Sequence, residues 1–180
     1  MKRNPSPGGW RCGLSSATLA YRDWLADHGS LTRRLKARCP QFSVRPLRQE
    51  LGRPNRDERG CLGLRSGEMA LVREVQLLCG GTPVVFAHSV LAAADLRGVW
   101  NSVSRQGAKP LGEALFADPR VLRAPLEFRQ LGRHHPLYRR ACAALTRPPA
   151  RLWARRSLFT LRARPLLVTE VFLPAVLDLA

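Results

Sequence analysis

Two apolar segments, residues 69–79 and 82–91, alternate along their length and meet at the dipeptide Gly80-Gly81. A two-residue connection between strands needs positive φ angles, which glycine adopts without a Cβ clash. The spacing therefore predicts an antiparallel hairpin at the centre of a sheet, and the rest of the chain has to be arranged around it.

Helical spacing comes first. Ala17, Ala20, Tyr21, Trp24, Leu25 and His28 share one helix face, and Gly29 is placed to end that helix. Ser30 reads as the N-cap of a short helix carrying Leu31, Leu35 and Cys39, which Pro40 stops. Phe42, Val44 and Pro46 then alternate with Ser43 and Arg45 as a first strand. Residues 52–67, with Pro54 and the polar run Asn55-Arg56-Asp57-Glu58-Arg59-Gly60, are too long for a tight turn and are expected to form a surface loop or a lid.

After the hairpin, residues 92–103 and 107–116 have helix-like spacing. Residues 121–131 alternate again, with Pro125 marking a bulge or an edge, and residues 137–145 return to helix. Residues 153–162 and 165–173 make a last pair of strands joined at Ala163-Arg164. This is an α+β plan: a single domain with an antiparallel β-sheet of about six strands and helices packed against it. Residues 1–14, rich in proline, glycine and charge, are expected to be a flexible N-terminal tail outside the core, with residues 15–180 as the domain.

Two ionisable residues interrupt the strand patterning. Arg73 shares a face with Leu71, Val75 and Leu77, and Glu170 shares one with Leu166, Val168 and Phe172. A charge on such a face costs several kcal/mol unless it meets an opposite charge or a polar ligand. Either the two form a buried salt bridge that pins their strands, or a guanidinium grips a carboxylate ligand whose other end meets Glu170. Ser30-Leu31-Thr32 and Pro110-Leu111-Gly112 read as helix starts, whose free backbone N–H groups can also receive a carboxylate. His88 lies on the face of Val84, Phe86 and Val90, as a satisfied core residue or as a participant; His134 and His135 read as surface.

Thirty Lys and Arg against thirteen Asp and Glu give a net charge of +17. The lysines are Lys2, Lys36 and Lys109 alone, and the arginines are scattered with no dense tract. That distribution describes a solvated basic surface, or a field that steers a small dianion. It lacks the stacking aromatics and recognition helix of a specific nucleic-acid binder. Five cysteines without a Cys-x-x-Cys or a Cys/His cluster predict no metal site and a reducing, cytoplasmic setting. No stretch approaches the ~18 apolar residues of a membrane span, and no signal-peptide core follows Met1-Lys2-Arg3. Dinucleotide, Walker and nucleophile-elbow motifs are absent, so no cofactor is expected.

Four stretches carry a resemblance. They are Trp24-Leu25 with Gly29-Ser30-Leu31-Thr32; Val72-Arg73-Glu74-Val75 with Leu77-Leu78-Cys79; Pro110-Leu111-Gly112 with Leu115-Phe116; and Trp153-Ala154-Arg155-Arg156-Ser157 running to Thr169-Glu170-Val171-Phe172-Leu173-Pro174. Together they resemble the bacterial chorismate pyruvate-lyase family, which makes 4-hydroxybenzoate and pyruvate from chorismate for ubiquinone. The resemblance implies a cofactor-free lyase with an enclosed, largely apolar cavity, inhibited by its product and monomeric. Arg73 would grip the ring carboxylate, backbone at Leu31 and Leu111 would complete the cradle, and Glu170 would meet the ring hydroxyl.

The chain departs from the best-known member of that family at two points. Leu31 replaces a methionine, and His88 lies near a position where that member has arginine. The enolpyruvyl carboxylate is then left to other arginines, such as Arg155 or Arg156. The alternative is a non-catalytic, small-acid-sensing domain of the same fold, as in bacterial transcription regulators. Those carry a winged helix-turn-helix ahead of the sensor, which residues 1–14 are too few to supply.

Overall fold

The computed structural model describes residues 8–14, 16–101, 110–143 and 145–179; the expected helical positions at 102–103 and 107–109 lie outside them. Seven strands form one antiparallel sheet: β1 Phe42–Gly52, β2 Ala70–Cys79, β3 Thr82–Ala92, β4 Leu122–Arg123, β5 Glu127–Gly132, β6 Arg151–Leu161 and β7 Arg164–Phe172. Their order is β1-β2-β3-β7-β6-β4, with β5 also paired to β6. The strand beyond the six expected arises because residues 124–126, around Pro125, separate β4 from β5.

The central hairpin forms as its sequence demands. Gly80 and Gly81 take φ of 54° and 82°, and Cys79 faces Thr82 across the turn. A bulge between Leu77 and Leu78 then adds one residue on β3, so that Arg73 pairs with Ser89 and Glu74 with His88. The β6–β7 turn falls on Arg162-Ala163, one residue earlier than expected, with both residues at positive φ.

The helices are short: α1 Arg22–Ala26, α2 Leu31–Arg38, α3 Arg56–Arg59, α4 Leu111–Ala117 and α5 Pro136–Cys142. Ser30 caps α2 as expected, its Oγ accepting the Arg33 N–H at 3.4 Å. The helix before it ends at Asp27 rather than at Gly29, and the Asp27 carboxylate accepts the Gly29 N–H at 2.7 Å.

Both faces of the sheet are covered. On one, α1 and α2 bring Trp24, Leu25, Leu31 and Leu35 onto Val75, Leu77 and Phe172, while α4 sets Leu111 and Leu115 on Leu71, Leu91 and Leu166. On the other, α5 packs Leu137, Tyr138 and Ala141 against Phe86, Ala154 and Val171. Leu62 covers Val90 and Leu167 on that same side.

Three expectations are corrected here. Trp10, assigned to a tail outside the core, is 1% exposed. Its Nε1–H donates to Asp57 Oδ2 at 2.7 Å, its ring lies under the Arg156 guanidinium, and the neighbouring Arg11 bridges to Phe128. One indole buries enough apolar surface, with a charged acceptor for its N–H, to order the segment that holds it. Residues 52–67 are not a free loop either: they contain α3 and pack against the face of Phe86 and Val90, away from α2 and α4. Cys39 and Cys79, read as reduced thiols, are joined as a disulfide that ties the end of α2 to the end of β2. Forty residues separate them, so no local pattern advertised the pair.

Candidate active site

The alternation of side chains along β2, β3, β7 and β6 places one row of residues across the sheet. Arg73 pairs with Ser89, Ser89 with Val168, and Val168 with Ser157. The next row runs Val75, Ala87, Glu170, Arg155. All of these face α2 and α4, because paired residues in an antiparallel sheet share a side.

A cavity of about 40 Å³ lies between that face and the two helices. Its floor includes Val75, Leu77, Val168, Ser157, Phe159 and Glu170, and its roof is Leu31, Thr32, Pro110, Leu111, Gly112, Leu115 and Phe116. Leu31 and Leu111 are the first residues of α2 and α4, so two helix N-termini meet above the floor. They abut closely enough that a Cβ on Gly112 would come within 3.3 Å of Thr32 Oγ1. First-turn N–H groups have no acceptor inside their own helix, which gives the roof a positive, donor-rich lining. Pro110 takes the N-cap position rather than the first helical one.

Of the residues singled out by sequence, Leu31, Leu111 and Glu170 line this cavity. Arg73 is buried at 4% exposure, two residues along β2 from the lining Val75, and burial lowers its pKa below the ordinary arginine value. Arg73 and Glu170 occupy different rows. Glu170 is paired instead with Arg155, whose Nε donates to Glu170 Oε2 at 2.5 Å. The Arg155 Nη1 is occupied by the carbonyls of Trp24, Leu25 and Asp27 at 2.9, 3.3 and 2.6 Å. Arg155 thus fastens α1 to the floor and holds the Glu170 carboxylate; those two of its nitrogens are already spent.

His88 and Arg156 fall on the opposite face of the sheet, which removes both from this cavity. His88, 2% exposed, sits between Glu74 Oε1 at 2.9 Å from Nδ1 and Glu58 Oε1 at 3.0 Å from Nε2. Burial disfavours its charge, but the two carboxylates outweigh that and raise its pKa above the ordinary histidine value. Glu74 also receives Arg140 at 2.7 Å, and Glu58 is fixed by the backbone and side-chain N–H groups of Asn55. Arg156 donates to Glu127 at 2.7 Å and lies over Trp10. His135, read as surface, caps α5: its Nδ1 accepts the Leu137 N–H at 3.2 Å.

On that far side an open groove of about 690 Å³ passes Gly8, Asn55, Asp57, Arg129 and His135. It is larger than the cavity, but its carboxylate, Asp57, is already committed to Trp10 and held at a pKa of about 2. Burial would raise that pKa, and His135 and Trp10 more than offset it. The cavity under α2 and α4 is where the residues of the sequence motifs converge.

Sequence reading missed Arg123. It stands on β4, lines the cavity, and donates from Nε to Ser157 Oγ at 2.9 Å and from Nη1 to the His28 carbonyl at 2.6 Å.

The protein is a single α+β domain whose antiparallel sheet carries a cavity roofed by two helix N-termini, and solved structures share the architecture. The effector domain of PhnF from Mycobacterium smegmatis superposes with a TM-score of 0.55 at 15% identity, over 81% of this chain and 89% of that one. The C-terminal domain of the histidine utilization repressor from Pseudomonas syringae does so with 0.55 at 10% identity, over 75% and 93%. At such identities the likeness is one of fold. The family is fixed by sequence: residues 10–179 match the chorismate lyase family model, and the chain belongs to that family. It is 52% identical to a protein of Nitrosospira multiformis named probable chorismate pyruvate-lyase, over 95% of this chain and 96% of the relative. A protein of the same name from Aromatoleum aromaticum is 54% identical, over 99% and 94%. Among the described residues no helix is long and apolar enough to cross a membrane.

Proposed function

We propose that this protein is a chorismate pyruvate-lyase, converting chorismate to 4-hydroxybenzoate and pyruvate as the step that commits chorismate towards ubiquinone. The observation that carries the reading is the convergence of Leu31, Leu111 and Glu170 on one cavity, with Arg73 buried on the same face two residues from its wall. In this reading the ring carboxylate lies between the Arg73 guanidinium and the N–H groups that open α2 and α4, and the ring hydroxyl reaches Glu170.

The reaction breaks the bond from ring carbon 3 to the ether oxygen and removes the hydrogen of carbon 4. The proton lost from the ring is balanced by the one that the enolpyruvate methylene gains on becoming pyruvate. There is no net redox change, and aromaticity drives the step. The chain's task is orientation in a dry site and stabilisation of charge on the departing oxygen, effects that each supply several kcal/mol. Glu170, held by Arg155, orients the hydroxyl as an acceptor.

A cavity of about 40 Å³ is far below the ~300–1,000 Å³ of ordinary ligand pockets, so α2 and α4 shift outwards to admit substrate. Closure of the same helices over the aromatic acid delays its exit, which is the physical ground for inhibition by 4-hydroxybenzoate. The cover is therefore the helix pair and not residues 52–67.

Purified protein mixed with chorismate, with products separated by chromatography, tests the proposal. An equimolar yield of 4-hydroxybenzoate and pyruvate is expected, and Arg73→Ala should lower kcat/KM by on the order of 100-fold or more. An inactive wild type, or an Arg73→Ala variant of full efficiency, would contradict it.

A further inference from the structure

The substrate of this reading carries two carboxylates, and only the one on the ring is accounted for by Arg73 and the helix N-termini. We infer that Arg123 binds the second, on the enolpyruvyl side chain, and so separates the dianionic substrate from the singly charged aromatic product. The inference rests on the lyase reading above.

Among the described residues, Arg123 is the arginine that lines the cavity. Of the other arginines named for this carboxylate, Arg155 pairs its charge with Glu170, and Arg156 pairs with Glu127 on the opposite face of the sheet. Arg123 enters none of the ion pairs among the described residues; its contacts there are neutral, to Ser157 Oγ and the His28 carbonyl. Phe116 and Phe159 flank its guanidinium at 5.1 and 5.4 Å and fix its plane. Burial lowers its pKa, while Glu170 acts in the opposite sense from across the cavity. A half-buried guanidinium that two neutral oxygen acceptors orient and that makes no contact ion pair among the described residues is arranged to receive an anion.

The span also fits. Arg73 and Arg123 stand on β2 and β4, four strand spacings apart, or roughly 19 Å at ~4.8 Å each. Arginine side chains extended towards each other from the two ends would bring their guanidinium groups within the span of a small molecule that carries a carboxylate at either end. The Ser157 bond draws Arg123 towards the row that begins with Arg73.

A purely structural role, tying the His28 loop to β6, would disturb all ligands alike, so the test compares two. In Arg123→Met, KM for chorismate should rise on the order of 100-fold, while the inhibition constant of 4-hydroxybenzoate stays within about threefold. Arg123→Lys keeps the cation without the planar fork and should fall between, with product affinity again preserved; it serves if the methionine variant does not fold. Equal KM in wild type and variants, or parallel losses for chorismate and product, would overturn the assignment. A wild type that leaves chorismate untouched would instead strike the lyase reading itself.

Discussion

Replacing Arg155 by methionine keeps the length of the side chain and removes its charge and its donors. The side chain is 1% exposed and serves four acceptors: the Glu170 carboxylate and the carbonyls of Trp24, Leu25 and Asp27. Those carbonyls belong to the end of α1 and the residue that follows it, where helical geometry supplies no donor of its own, so they lose the partner that compensates their burial. An unsatisfied buried acceptor costs about 1–3 kcal/mol, but the three share one nitrogen and their costs do not add fully. Glu170 keeps some contact with water and suffers less.

The total expected for Arg155→Met is ~3–5 kcal/mol, the range for breaking a buried pair from one side. In a chain of this length that corresponds to a fall in Tm of roughly 6–20 °C. Glu170→Gln retains an oxygen for the Arg155 Nε and should cost only about 1–2 kcal/mol. In a double-mutant cycle, read by urea unfolding, the two changes should couple by ~1–3 kcal/mol. An Arg155→Met variant destabilised by less than ~1 kcal/mol, or zero coupling, would refute the claim that this arginine fastens α1 and Glu170 together.

Two further measurements address the far face of the sheet. Trp10→Phe keeps an aromatic ring under Arg156 but deletes the bond to Asp57, and a loss of ~1.5–3 kcal/mol is expected in the urea midpoint, where a loose tail would show none. His88 has a raised pKa, so its contribution to stability is complete below its unfolded value of 6.5 and is lost as pH rises through the folded one. Glu58 and Glu74 are buried, which would raise them, yet His88 holds both below their ordinary 4.5, so their contribution is lost as pH falls beneath that value. Wild-type stability should therefore drop as pH rises above 6.5, and His88→Gln should flatten that limb; a wild-type limb already flat there would contradict the network.

How much of this was legible depended on whether a residue broke a local rule. Arg73 and Glu170 stood out because a charge interrupts alternating hydrocarbon, and Gly80-Gly81 because a tight turn demands positive φ. Leu31 and Leu111 break no rule, and the backbone role proposed for them came from helix-start geometry together with family resemblance. Arg123 was invisible in a chain whose cations are scattered throughout, on a two-residue strand beside a proline break. The side on which His88 falls depends on the extra residue of β3, Val84, opposite the step from Leu77 to Leu78, and no composition signals that residue. Regular pairing continued from Cys79 and Thr82 would have set His88 opposite Arg73.

That bulge also governs how the hairpin tolerates changes of length. A one-residue deletion at positions 83–85 can be absorbed by straightening the kink, leaving Ser89 against Arg73 and every later position on its present side. The same deletion further along β3, beyond the kink, has no slack to draw on and would turn the cavity-facing wall inside out. Among descendants of this sequence, gaps should therefore cluster near Val84, and the stretch from Phe86 to Leu91 should evolve by substitution alone.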